Sequence, residues 1–168
     1  MTKVHFYKFI PYEDGLMGNF DLLEEDVPIN IFIDNAEEFK DSPECDAEVD
    51  IYGVFQGLKV FKTEEEYEAG GTHMAVESMI PTGTFAPNNK QYSFQQSPTI
   101  LYNGIVKDVD KDEEAEENRP NYCLTIQTYG MTFKLFARYD GEIEMGNIVS
   151  GSAWLYGDIS IPEGTETA

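Results

Sequence analysis

Basic residues are scarce in this chain: eleven Lys and Arg stand against 32 Asp and Glu, for a formal charge of −21. A compact chain of 168 residues has a radius of gyration of roughly 15 Å, so these charges crowd one another and repel polyanions. DNA and RNA are held chiefly by Lys and Arg displacing condensed counterions, and anionic membrane surfaces attract the same residues. Both are therefore disfavoured. What the charge leaves open is a basic protein, a cation, a neutral ligand or a second copy of the chain. Cysteine is almost absent, with only Cys45 and Cys123, which excludes a disulfide framework and fits free thiols in a reducing compartment. No apolar run approaches the ~20 residues that span a bilayer. The opening residues do not form a secretion signal, since Lys8 interrupts the apolar stretch. With no Asn-x-Ser/Thr acceptor either, the expected location is cytoplasmic.

Aromatic residues are plentiful, and Tyr and Phe supply nearly all of them. Both favour pleated, half-buried positions. Alternation at period two predicts strands over 4–10 and 27–33, with 13–26 as a connection between them. A strand over 48–55, a turn at Gln56-Gly57 and a second strand over 58–61 follow. Thr63-Glu64-Glu65-Glu66 matches a capping box, so a short helix starts there and Gly70-Gly71 ends it. Further strands are expected over 73–80, 99–109, 122–129, 131–137 and 148–159, with a hairpin at Gly130. Short strands with little helical periodicity predict an all-β fold, an antiparallel barrel or sandwich with at most short helices. The chain divides near Ser97-Pro98 into a β-rich part, 1–97, and a barrel part, 98–160, or else runs as one domain over 1–160. The tail, 161–168, is expected to fray.

Residues 99–160 resemble a small Greek-key barrel of the oligonucleotide/oligosaccharide-binding (OB) type. The pattern is a glycine-bearing first strand over 99–109, the hairpin at Gly130, a connector over 138–145, and Gly146-Asn147-Ile148-Val149-Ser150-Gly151 leading into a fourth strand. The resemblance implies a barrel with sheet bends at its glycines. Its binding face would offer Lys134 and Arg138 against many acids, a poor match to nucleic acid.

The motifs of known chemistries are missing. There is no Gly-x-Ser-x-Gly elbow, phosphate-cradling loop, dinucleotide turn, Cys-x-x-Cys or His-Glu-x-x-His, and neither His5 nor His73 has a partner at zinc spacing. No cofactor is implied, and catalysis is not expected. Asp108, Asp110 and Asp112 resemble the alternating oxygen ligands of an EF-hand calcium loop and are the candidate cation ligands. Glu113 stands where that loop needs glycine, and Arg119 where it needs a bidentate Glu.

Between Glu77 and Lys107 the sole charged residue is Lys90. Charge depletion with Tyr, Phe and Met enrichment marks interface centres. Phe85, Tyr92 and Phe94 in this stretch, together with Trp154, are the candidate interaction residues. The expected function is a binding protein whose acidic surface meets a basic partner or a second copy. A carbohydrate- or ligand-binding barrel, or a hydrolase using paired carboxylates, is the alternative.

Overall fold

The computed structural model describes residues 1–70, 74–84 and 96–162. Nine strands and one α-helix are present among them: β1 (Thr2–Tyr12), β2 (Gly15–Leu22), β3 (Val27–Ile33), β4 (Cys45–Phe61), α1 (Glu64–Ala69), β5 (Ser78–Ile80), β6 (Thr99–Lys111), β7 (Tyr122–Thr128), β8 (Met131–Ala137) and β9 (Ile148–Ser160). The fold is all-β, with barrel-like sheet closure and only short helices. Two compact units arise, neither contiguous in sequence. The first comprises 1–51, 81–99 and 155–168, the second 52–80 and 100–154. The chain passes from one to the other four times: inside β4, after β5 between Ile80 and Pro81, at the start of β6, and inside β9. One of these crossings, Thr99 to Ile100, lies beside the boundary expected near Ser97-Pro98.

In the first unit, β1, β2 and β3 form an antiparallel meander. The first part of β4 returns antiparallel to β1, pairing Thr2 with Val49 and Phe6 with Cys45. The last part of β9 runs parallel to β3, Phe32 opposite Tyr156. Since β9 also pairs with β4, the five strands close in the order β1-β2-β3-β9-β4-β1. The interior takes every second side chain: Val4, Phe6, Phe20, Ile29, Ile31 and Val49 are all buried. Each large side chain fully buried this way contributes about 1.5–3 kcal/mol.

In the second unit, β6, β7 and β8 form the meander. The first part of β9 returns beside β6, where the Val106 amide donates to the Asn147 carbonyl at 2.9 Å. The last part of β4 runs parallel to β8, Tyr52 opposite Lys134 and Val54 opposite Phe136. With β9 beside β4, the order is β6-β7-β8-β4-β9-β6. Tyr102, Val106, Leu124, Phe133, Leu135 and Ala153 fill the interior. The spatial strand order is that of the first unit, with the shared strands in exchanged roles: β4 is the fourth strand of one ring and the fifth of the other, and β9 the reverse. Even the irregularity recurs, as the pairing of the first strand with the second slips between Phe6 and Lys8 and between Val106 and Asp108. The sequence shows no repeat, because the duplication lies in strand order and not in residue identity.

The exchange explains why a fifth strand is not visible after β8. It lies upstream, in β4. The turn expected at Gln56-Gly57 is instead the middle of one 17-residue strand. Glycine serves close approach there: a Cβ on Gly151 would fall 2.0 Å from the Gly57 carbonyl oxygen. The segment read as a connection over 13–26 holds β2, whose Gly15, Gly18, Asn19 and Asp21 conceal it from a propensity reading. Thr63 caps α1 as expected, accepting from the Glu66 amide at 3.1 Å. Glu66 reaches back one residue further than a capping box requires and accepts from the Lys62 amide at 2.9 Å. The strand expected over 73–80 is shorter than that: β5 takes only Ser78–Ile80, which pair with β6, while residues 74–77 lie outside any strand and His73 lies outside the described residues. A buried polar set fixes β5: Thr128 donates to the Ser78 and Asn103 carbonyls, and Asn103 Nδ2 donates to Ser78 Oγ.

Candidate functional site

The outward faces of β2–β3 and β7–β8 are positioned alike. Immediately past the slip in each first strand, Lys8 faces Asn19 and Asp108 faces Thr125. The registers continue in step. Asn19 pairs with Asn30 as Thr125 pairs with Lys134, and Met17 pairs with Phe32 as Cys123 pairs with Phe136. Each phenylalanine meets a tyrosine edge-on, Phe32 with Tyr156 at 5.8 Å and Phe136 with Tyr52 at 6.1 Å between ring centres.

In the first unit this face is covered by the chain itself. The 3₁₀ turn Thr82–Thr84 packs against β3. Asn30 Nδ2 donates to the Gly83 carbonyl at 3.2 Å, to the Ser97 carbonyl at 3.4 Å and to Gln96 Oε1 at 3.2 Å. Asn19 Nδ2 donates to Asn30 Oδ1 at 2.6 Å and to Gln96 Oε1 at 3.1 Å. Asn30, 4 % exposed, is consequently buried although it points away from the barrel interior, and Met17 on the same face is 0 % exposed. The flanks of the charge-poor stretch thus cover their own barrel. Phe85, Tyr92 and Phe94 lie outside the described residues.

In the second unit the corresponding face is open. Phe136 is 37 % exposed and Val54 38 %. Thr125 and Cys123 are half-buried and Lys134 is exposed. Two rows cross the face in register: Asp110, Cys123, Phe136 and Val54 in one, Asp108, Thr125, Lys134 and Tyr52 in the other. Trp154, half-buried, sits on the same outward side of β9, next to β4. Burial raises the Cys123 thiol pKa above its ordinary value, Lys134 partly opposes this, and Asp110 and Asp108 add to it. Both cysteines are free thiols.

Asp108 and Asp110 point outward from β6. Asp108 accepts from the Val109 amide and Asp112, beyond the strand end, from the Glu114 amide. Among the described residues no three His, Cys, Asp or Glu side chains converge on a point that would hold a metal ion. In the first unit, His5 Nδ1 donates to the Asp46 carboxylate at 2.7 Å, with Glu44 3.5 Å from Nε2. The Asp46 bond leads in raising the His5 pKa. Tyr7 donates to Asp21, which raises the phenol to about 12. A shallow groove of about 360 Å³ lies nearby, bordered by Lys3, Leu23, Asp46, Glu48 and Ile161.

Of the residues singled out from sequence, Asp108 and Asp110 stand at the β6 edge of the second unit's outward face and Trp154 at its β9 edge, with β7, β8 and β4 between them, and Asp112 lies past the end of β6. The face adds Tyr52, Val54, Cys123, Thr125, Lys134 and Phe136. Alternation marks these as outward, but outward positions occur on every strand. Only the contrast with the covered face sets them apart. No helix of the described residues is long and apolar enough to cross a membrane. The chain matches no protein-family description, and neither the curated proteins nor the solved structures yield a significant match.

Proposed function

We propose that the chain is a non-catalytic binding protein built from two barrels of the OB type, and that it docks a basic protein on the outward face of β7, β8 and β4. The strand order and the parallel pairing of third and fifth strands support the OB reading. One observation carries the docking reading. Phe136 and Val54 remain more than a third exposed on a face whose counterpart, through Asn30, is covered by the chain's own residues. Apolar and aromatic residues at the centre with acids at the edge suit an interface, and Asp108, Asp110 and the overall charge of −21 favour a cationic partner. The same charge opposes DNA, RNA and anionic membranes.

A synthetic peptide alternating lysine with leucine and valine serves as the probe. Its binding should weaken steeply with salt and weaken again in Phe136→Ser and Val54→Ser. Affinity unchanged in both folded variants, or indifferent to salt, removes this reading. The rings of Tyr52, Phe136 and Trp154 on one face favour a second reading, an oligosaccharide ligand. Salt-independent binding of neutral glycans, lost on Trp154→Ala, would establish that one instead.

A further inference from the structure

Resting on the docking face just proposed, we infer that its partner binds as a polypeptide segment whose main-chain carbonyls are read by Lys134 and whose cationic side chains meet Asp108 and Asp110. The first unit supplies the precedent. There, the side chain of Asn30 donates to main-chain carbonyls of two pieces of covering chain, Gly83 in a 3₁₀ turn and Ser97 just before β6. Lys134 occupies the corresponding register position in the second unit, opposite Thr125 as Asn30 is opposite Asn19. A lysine ammonium has three donors and no acceptor, so it suits carbonyl oxygens as an amide NH₂ does. Among the described residues Lys134 has no hydrogen bond or ion pair, and its side chain is exposed. The Phe136 ring, two residues along on β8, corresponds by register to the half-buried Phe32 of the first unit. It gives an apolar side chain of the same segment a place to rest.

Nucleic acid fits this arrangement poorly. One lysine shares this face with two outward carboxylates on β6, two strands away across β7, so a phosphate approaching Lys134 has Asp108 in the same row. A peptide reverses the problem, because its carbonyls suit Lys134 while its lysines suit Asp108 and Asp110. A second copy of the chain, with 11 Lys and Arg against 32 Asp and Glu, offers Asp108 and Asp110 fewer cationic side chains than a basic peptide does.

The test turns on the sign of a charge effect. For a cationic probe and an anionic protein, general electrostatics predicts that Lys134→Met tightens binding, since it removes a like charge. Carbonyl recognition predicts the opposite, a loss of roughly tenfold, the worth of one charge-assisted hydrogen bond. The lysine/leucine/valine peptide is titrated against the wild type, Lys134→Met, Phe136→Ser and Val54→Ser. It is then compared with an analogue in which one amide is replaced by an ester, whose carbonyl is the weaker acceptor. Loss of affinity in Lys134→Met, and an ester penalty present in the wild type but abolished in Lys134→Met, establishes the inference. Unchanged or tighter binding by Lys134→Met, with Phe136→Ser or Val54→Ser still weakened, overturns it and leaves the docking face standing. Unchanged binding in all the variants overturns both. Displacement of the peptide by a twelve-nucleotide thymidine strand, or a dimer in sedimentation that Phe136→Ser dissociates, also overturns it, because the occupant is then a nucleic acid or a second copy.

Discussion

Asn30 donates through its side-chain amide to the Gly83 carbonyl at 3.2 Å, joining residues 53 positions apart in the chain. Replacing it by alanine leaves the Gly83 and Ser97 carbonyls and Gln96 Oε1 without that donor in a nearly dry setting. Such a loss costs about 1–3 kcal/mol. Asn30→Ala should lower the denaturation midpoint in urea without altering the slope. A midpoint equal to wild type would mean the covering segment is held by something else.

Gly151 and Gly57 face each other in the second unit with very different room. A Cβ on Gly151 meets the Gly57 carbonyl oxygen at 2.0 Å, whereas one on Gly57 meets nothing within 4 Å. Gly151→Ala forces backbone to move and should cost at least about 1–3 kcal/mol. Gly57→Ala should stay within about 0.5 kcal/mol of wild type. Thermal unfolding of the pair checks this, and equal effects would contradict the close approach.

The His5–Asp46 contact makes stability depend on pH in a definite direction. Asp46 raises the His5 pKa in the folded protein, so the folded state favours the protonated ring. The contribution is fully present below the unfolded value of about 6.5 and is lost as pH rises through the folded value. The wild type should therefore lose stability relative to His5→Gln between those two values. A difference that stays constant, or that grows with pH, contradicts the contact. By NMR, Asp46→Asn should bring the His5 pKa down.

The Cys123 thiol should ionise above the ordinary cysteine value, because burial, Asp110 and Asp108 outweigh Lys134. Its reaction with a small alkylating reagent should accordingly become fast only at alkaline pH, and Lys134→Met should move the profile further up. Asp110→Asn should move it down. The site is followed by mass spectrometry, to separate it from the buried Cys45. A profile indifferent to both substitutions would remove the charge coupling across this face.

The sequence by itself determined the class of fold, because period-two alternation of Val, Ile, Phe and Tyr has only one use, a sheet with one dry face. It also determined the helix start at Thr63 and the hairpin at Gly130, where φ is +83°: both are local, decided by residues within four positions of each other. Outward positions such as Lys134 and Phe136 were legible in the same way. Tertiary structure alone decided the rest. β2 exists because β1 and β3 supply partners for a stretch with weak preference of its own. β4 stays extended through Gly57 because a neighbouring strand comes too close for any side chain on Gly151. The fifth strand of each barrel comes from the other half of the chain, a long-range pairing that no local pattern encodes. Which outward face stays open was likewise settled at a distance, when the amides of Asn19 and Asn30 captured a segment more than fifty residues away and nothing in the described chain did the same for Thr125 and Lys134.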